Sequence, residues 1–274
     1  MRRPATNWLA WGLWALMVSL LCVGLGMAAA WGANDANSPA AIVTFTIAFV
    51  AFGTVGALVA SRAPANPLGW IFLGIGALAA ANDVVGGYAR QGLVDAPGTL
   101  PAAIPVGWMY MWLWFVMLVL IGFVPLLFPD GHVPGPRWRW VARMLVGLAA
   151  LSVLGIGVYP GQVGDGDPPW PDNPLGIGAL RGTLDLLEPI VAVTLAFAFV
   201  ASLISVIFRF RRSRGDERLQ LKSMLYSVVV IALMFFVPSI FGGSLGDVGF
   251  GIAVLIPSPS GSPCSSTVST TSTG

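Results

Sequence analysis

From Trp8 to Trp31 the chain reads WLAWGLWALMVSLLCVGLGMAAAW, an apolar run with no charged side chain in it. The hydrocarbon layer of a bilayer is about 30 Å thick and needs about 20 residues of α-helix to cross it; this stretch is long enough. Hydrocarbon offers no water to the backbone, so a spanning segment must pair its own N–H and C=O groups, as a helix does. The run follows Arg2 and Arg3, and Ala28, Ala29 and Ala30 would suit a signal peptidase. A signal peptide's apolar region is only about 7–15 residues long, however, so the segment is read as an uncleaved first helix.

Six more runs of this kind follow: Ala40–Ala60, Leu68–Ala89, Pro105–Phe128, Val141–Tyr159, Leu187–Phe208 and Ser223–Phe241. Another begins near Leu245, continues as GDVGFGIAVLIP, and stops being apolar at Ser258. The expected fold is all-α: a polytopic integral membrane helix bundle with seven complete transmembrane helices and a truncated eighth. Composition agrees. Of 274 residues 56% are hydrophobic and 9% charged, and the mean hydropathy is +0.82. A water-soluble domain of that size needs more charge to cover its outside. Cys22 lies in an apolar run and Cys264 in a polar tail, which makes neither a disulfide framework nor a metal site.

The small net charge of +2 conceals a strong asymmetry. Basic residues resist translocation and collect in cytoplasmic loops. With the N-terminus inside, Arg2, Arg3, Arg62, Arg137, Arg139, Arg143, Arg209, Arg211, Arg212, Arg214, Arg218 and Lys222 all fall on the cytoplasmic side, and only Arg90 and Arg181 fall outside. Asp35, Asp95, Asp165, Asp167, Asp172, Asp185, Glu188 and Asp247 go the other way. The predicted location is therefore the inner (cytoplasmic) membrane, with the lipid bilayer as the first partner and no nucleic acid.

Local punctuation places the candidate residues. Asn66-Pro67 opens the third helix, with Asn able to cap and Pro tolerated at a position that needs no N–H partner. Pro129-Asp130-Gly131 signals a turn. Arg137, Trp138, Arg139 and Trp140 alternate as an interface anchor does, ring at the headgroups and guanidinium toward phosphate. The cluster Arg209, Arg211, Arg212 and Arg214 fixes topology and offers charge to anionic lipid. Asp83, beside Asn82, is the one acid inside an apolar run, and intramembrane carboxylates often serve a function; a sensing or pairing role stands beside simple hydration near the outer surface. The Pro/Gly/Asp-rich stretch Gly161–Leu186 reads as a flexible acidic loop held off the membrane, in which Trp170 and its flanking prolines offer a small-molecule site. His132, the one histidine, reads as solvated loop. Gly24, Gly26, Gly74, Gly76, Gly155 and Gly157 read as helix-packing positions. There is no phosphate-cradling glycine loop, no Ser/His/Asp set and no metal-ligand cluster, so no catalytic residue, cofactor or metal is expected.

Three inner-loop segments say more: NPLGW (Asn66–Trp70), LLFPDGHVPGPRWRWV (Leu126–Val141) and RGDERLQLKSMLY (Arg214–Tyr226). In this order they resemble segments of a family of multi-pass bacterial sensor histidine kinases, and the resemblance runs from the first helix to about Pro257. It implies a membrane-embedded sensor or input region, a homodimer and, in the intact parent, a response regulator as partner. In that family the last helix leads through a segment similar to VLKYRLYDIDR into a kinase with a phosphoacceptor histidine and an ATP-binding domain. Here SPSGSPCSSTVSTTSTG (Ser258–Gly274) follows instead. Read one base out of register, a GC-rich coding of VAVGFAVLKYRLYDIDR yields those residues in order. The expectation is thus an input domain over residues 1–257 and a disordered frameshift product over 258–274, with no catalytic domain in this chain. Two readings from other classes stand beside it: a small transporter or permease, and a structural membrane protein.

Overall fold

The computed structural model describes residues 3–31, 39–164 and 170–212. Six long helices account for most of them: α1 (Arg3–Trp31), α2 (Pro39–Arg62), α3 (Pro67–Arg90), α4 (Ala103–Leu127), α5 (Arg139–Gly157) and α6 (Arg181–Arg212). One π turn, Gln91–Asp95, continues α3, and short 3₁₀ turns precede α5 and α6. Among the described residues there is no strand, only a single bridge between Gln162 and Asp172. The expected runs Ser223–Phe241 and the one starting near Leu245 lie outside the described residues, as does the tail Ser258–Gly274.

Five helices are long and apolar enough to cross a membrane: Thr6–Trp31, Pro67–Asp95, Ala103–Leu127, Pro136–Gly157 and Gly178–Arg211. A shorter apolar helix, Thr46–Arg62, belongs to α2. The bundle carries on its outside apolar surface that a soluble protein would cover. Leu186, Val193 and Ile190 on α6 are 73%, 70% and 58% exposed, while Ser202 and Ser205 on the same helix are 0% exposed. Water would penalise that arrangement; lipid, as apolar as the side chains facing it, does not. The protein is a helical membrane bundle.

Helix pairing builds the bundle from two trios. α1 packs on α2 and α3, and α5 and α6 pack on each other and on α4. The α3–α4 contact joins the trios through Ile75, Ala79 and Met117. Met17, Leu21 and Ala80 fill the first trio; Val119, Leu126, Val141, Leu145, Leu148, Ala198 and Ala201 fill the second. The tightest approach is between α2 and α3. A Cβ on Gly69 would stand 2.5 Å from the Ala60 backbone nitrogen, and one on Gly56 would meet the Leu73 backbone nitrogen. Small residues let membrane helices gain dispersion energy by closing to backbone contact. The glycines picked from sequence are mostly looser: a Cβ on Gly26 would meet nothing within 4 Å, and one on Gly155 only Leu184 at 3.7 Å. Gly76 does pack closely, against Met17 and the Phe49 carbonyl.

Candidate functional site

At one end of the bundle α4 runs out with Pro125 in its last turn. The last carbonyls of any helix lack intrahelical donors, and Pro129, having no N–H, leaves the Pro125 carbonyl without its helical partner as well. The connection that follows therefore begins among unpaired acceptors, and Arg209 of α6 supplies the donors. Its Nη1 donates to the Phe128 carbonyl at 2.6 Å and to Asp130 Oδ1 at 2.7 Å. Nη2 donates to the Leu126 carbonyl at 3.4 Å and to the His132 carbonyl. The guanidinium is 11% exposed and the Asp130 carboxylate 61%. Partial burial raises the Asp130 pKa, but the hydrogen bond and charge of Arg209, with the His132 N–H, outweigh it and hold the carboxyl below its ordinary value.

The turn is shaped around this clamp. Leu127 accepts from the Gly131 N–H at 2.8 Å, and Gly131 has φ of 77°, a left-handed conformation that glycine alone adopts freely. A Cβ there would also collide with Asn66 Oδ1 and with Pro67 Cδ at 2.6 Å. Asn66 caps α3 as expected, its Oδ1 accepting from the Leu68 N–H at 3.0 Å. Its Nδ2 reaches across to the Pro129 carbonyl at 3.4 Å. The connections opening α3 and closing α4 thus touch each other, and α6 is pinned to the second. His132 is exposed, and its Nδ1 lies 2.9 Å from the Asp130 carbonyl. Deeper along α6, Ser205 Oγ donates to the Ser202 carbonyl at 2.6 Å and approaches the Pro125 carbonyl at 3.5 Å.

The anchor residues separate into two kinds. Trp138 packs edge-on against Phe208, centroids 6.1 Å apart, and Trp140 stacks on Phe197 at 5.9 Å. Arg137, Arg139, Arg143 and Arg211 are exposed. Arg209 is instead consumed by the clamp. The side chain of Arg212 and all of Arg214 lie outside the described residues.

The opposite end is organised by a residue that sequence reasoning missed. Asn173 is 7% exposed; its Nδ2 donates to the Gly157 carbonyl at 3.0 Å and the Tyr159 carbonyl at 2.9 Å, and its Oδ1 accepts from the Leu175 N–H at 3.0 Å. Trp108 Nε1 also donates to the Gly157 carbonyl, at 2.7 Å, so the end of α5 is capped from α4 and from the loop together. The described parts of the loop consequently fold onto the bundle, unlike the free acidic loop expected. Val163 is fully buried, close to Gly107. Trp170 lies nearly parallel to Tyr110, 12° between planes and 6.4 Å between centroids. Tyr159 donates to Asp185 Oδ1 at 2.8 Å; that carboxylate acceptor raises the tyrosine pKa above its ordinary 10.0. A signal for Asn173 was present: NPLG occurs at 66–69 and again at 173–176, and both asparagines accept from the leucine N–H two residues on at the same 3.0 Å.

Asp83 does not join Trp170. It sits exposed on α3, its Cβ 3.5 Å from where a Gly24 side chain would start on α1. Its neighbour Asn82 has a buried Oδ1 with no hydrogen-bond partner among the described residues. Among those residues no group of three or more His, Cys, Asp or Glu is placed to hold a metal ion. Compared with known protein families, with curated proteins and with solved structures, the chain finds no match.

Proposed function

We propose that this chain is the membrane-embedded input module of a bacterial sensor histidine kinase. The observation that carries the proposal is the meeting of two of the three motifs behind the resemblance. The Asn66 side chain of NPLGW bonds the Pro129 carbonyl of FPDG, and Gly131 of the same turn leaves room for Asn66 and Pro67. Residues that far apart in sequence and joined at one point give the paired motifs a structural reason to occur together. Arg209 ties the end of α6 to that point, and the third motif begins five residues later, at Arg214. A stimulus acts on such a module only by binding two helix arrangements with different affinity; α6 is the element that would carry the difference toward an output region.

In this reading the end bearing Asp130 and Arg209 faces the cytoplasm, seven helices cross the inner membrane, the module works as a homodimer, and the output passes to a response regulator. The DNA sequence across codon 257 tests it: a kinase reading frame immediately downstream is expected, and its absence would overturn the reading. Reporter fusions test the orientation. A cytoplasm-active reporter placed between Pro134 and Pro136 is expected to work, and an export-dependent one there is expected to be silent. The transporter reading is weaker, because transporters place ionisable groups near the midplane and α4 and α5 are apolar through their middles. Substrate flux in proteoliposomes would reverse this ranking.

A further inference from the structure

We propose that the Asp130 end of the bundle is a docking surface for the headgroups of anionic phospholipids, formed by Arg137, Arg139 and Arg143, and that Arg209 takes no part in it. The inference rests on the chain being a membrane bundle and not on the sensor reading.

Charge balance at that end carries the argument. Among the residues whose side chains are described, its cations are Arg62, Arg137, Arg139, Arg143, Arg209 and Arg211, and its one acid is Asp130. Arg209 already holds that carboxylate at 2.7 Å, so Asp130 is not free to neutralise any other guanidinium. Arg137, Arg139 and Arg143 are exposed and make no ion pair or hydrogen bond among the described residues. Three positive charges lie within seven residues, at a helix start that has no acid in its first turn. That start is also the positive end of the helix dipole. Such an arrangement is self-repulsive unless anions gather beside it.

Geometry says which anions. On α5 the buried residues Val141, Leu145, Leu148 and Ser152 form one stripe. At 3.6 residues per turn Arg139 and Arg143 fall on the opposite side, turned away from the bundle toward the surrounding lipid. Between the arginines, the rings of Trp138 and Trp140 pack against Phe208 and Phe197. The backbone bearing the three guanidiniums is thereby held fixed against α6, at the depth where indole rings settle in a bilayer. A lipid phosphate lies at that depth, with its acyl chains beside the exposed Val146 and Leu154 lower on α5. A free phosphate has no counterpart for that apolar flank.

The test uses the full chain in nanodiscs with spin-labelled phosphatidylglycerol or phosphatidylcholine, reading the fraction of label immobilised by protein. The anionic label is expected to be preferred by about fivefold or more, the effect of one well-placed arginine. The preference should shrink in 0.5 M salt, as exposed charges are screened. Replacing all three arginines by Gln should cut it by about threefold or more, the remainder coming from Arg62 and Arg211 at the same end, while replacing all three by Lys should keep most of it. Equal immobilisation of both lipids by the native chain would overturn the proposal, and so would an unchanged preference in the Gln variant or equal loss in both variants. Added inorganic phosphate should leave the label bound; displacement at millimolar phosphate would point to a small-anion site and sink the lipid surface.

Discussion

Arg209 illustrates how far one side chain's role depends on what a helix end leaves unpaired. Charge pattern alone reads it as one of a row of topology-setting arginines, and nothing in the sequence distinguishes it from Arg211. The difference comes from the end of α4 and the turn after it, which leave carbonyls that a guanidinium at that height can collect. Hydrogen bonds to charged groups contribute about 1.5–3 kcal/mol, so Arg209→Gln should lower the thermal midpoint in detergent by several degrees. Asp130→Asn should cost less, because that carboxylate is largely exposed and such pairs give about 1 kcal/mol or less. The pH dependence has a definite sign. Asp130 is held below its ordinary 3.8 in the folded chain. Its contribution is therefore complete above that value and is lost as pH falls through the lowered one. A melting series from pH 6 to pH 2 should show this loss, and the Asn variant should lack that component. Asn173 makes the matching case at the other end: Asn173→Ala leaves the Gly157 carbonyl with Trp108 alone and the Tyr159 carbonyl without its side-chain donor. Amide exchange at Val163 and Asn173 should accelerate at least tenfold while that of α3 is unchanged.

The helices themselves were legible from sequence because an uninterrupted apolar run has one solution in hydrocarbon. Every predicted span that falls within the described residues is a helix, with ends displaced by a few residues. The start at Pro67 and the turn at Asp130 and Gly131 followed from Asn, Pro and Gly chemistry, while α5 starts at Arg139, two residues before the apolar run at Val141. What could not be read was the facing of each helix. In water the polar stripe marks the outside, but here nearly every position of α4 is apolar, and contact and lipid exposure look alike in one-letter code. For that reason the close-packing glycines were misjudged: Gly69 and Gly56 face backbone, whereas Gly26 faces open space. Gly69→Ala should therefore destabilise by about 1–3 kcal/mol through forced separation of α2 and α3, and Gly26→Ala should be neutral or slightly favourable. Unfolding of both variants in mixed micelles measures the difference. The loop at 161–164 and 170–177 was misread for the same reason: its Pro, Gly and Asp content says irregular, but not whether the irregular chain is tethered.

For the molecule as a whole, the exposed apolar belt of α1 and α6 and the buried serines predict a protein that needs lipid or detergent. Expressed chain should sediment with membranes in ultracentrifugation, resist extraction by carbonate and appear in the supernatant only with detergent; recovery in a detergent-free supernatant would remove the membrane assignment. Within that bundle α6 is 32 residues long, about 48 Å at 1.5 Å per residue, well beyond the hydrocarbon thickness. Length alone leaves the register of such a rod open, and the acceptors gathered by its arginine fix it. Advancing α6 by one residue moves the guanidinium 1.5 Å and swings it about 100°, more than hydrogen bonds tolerate, so all four would let go at once. Arg209 thus acts as a detent for α6: its register is set at one point near the helix end and not along the whole rod.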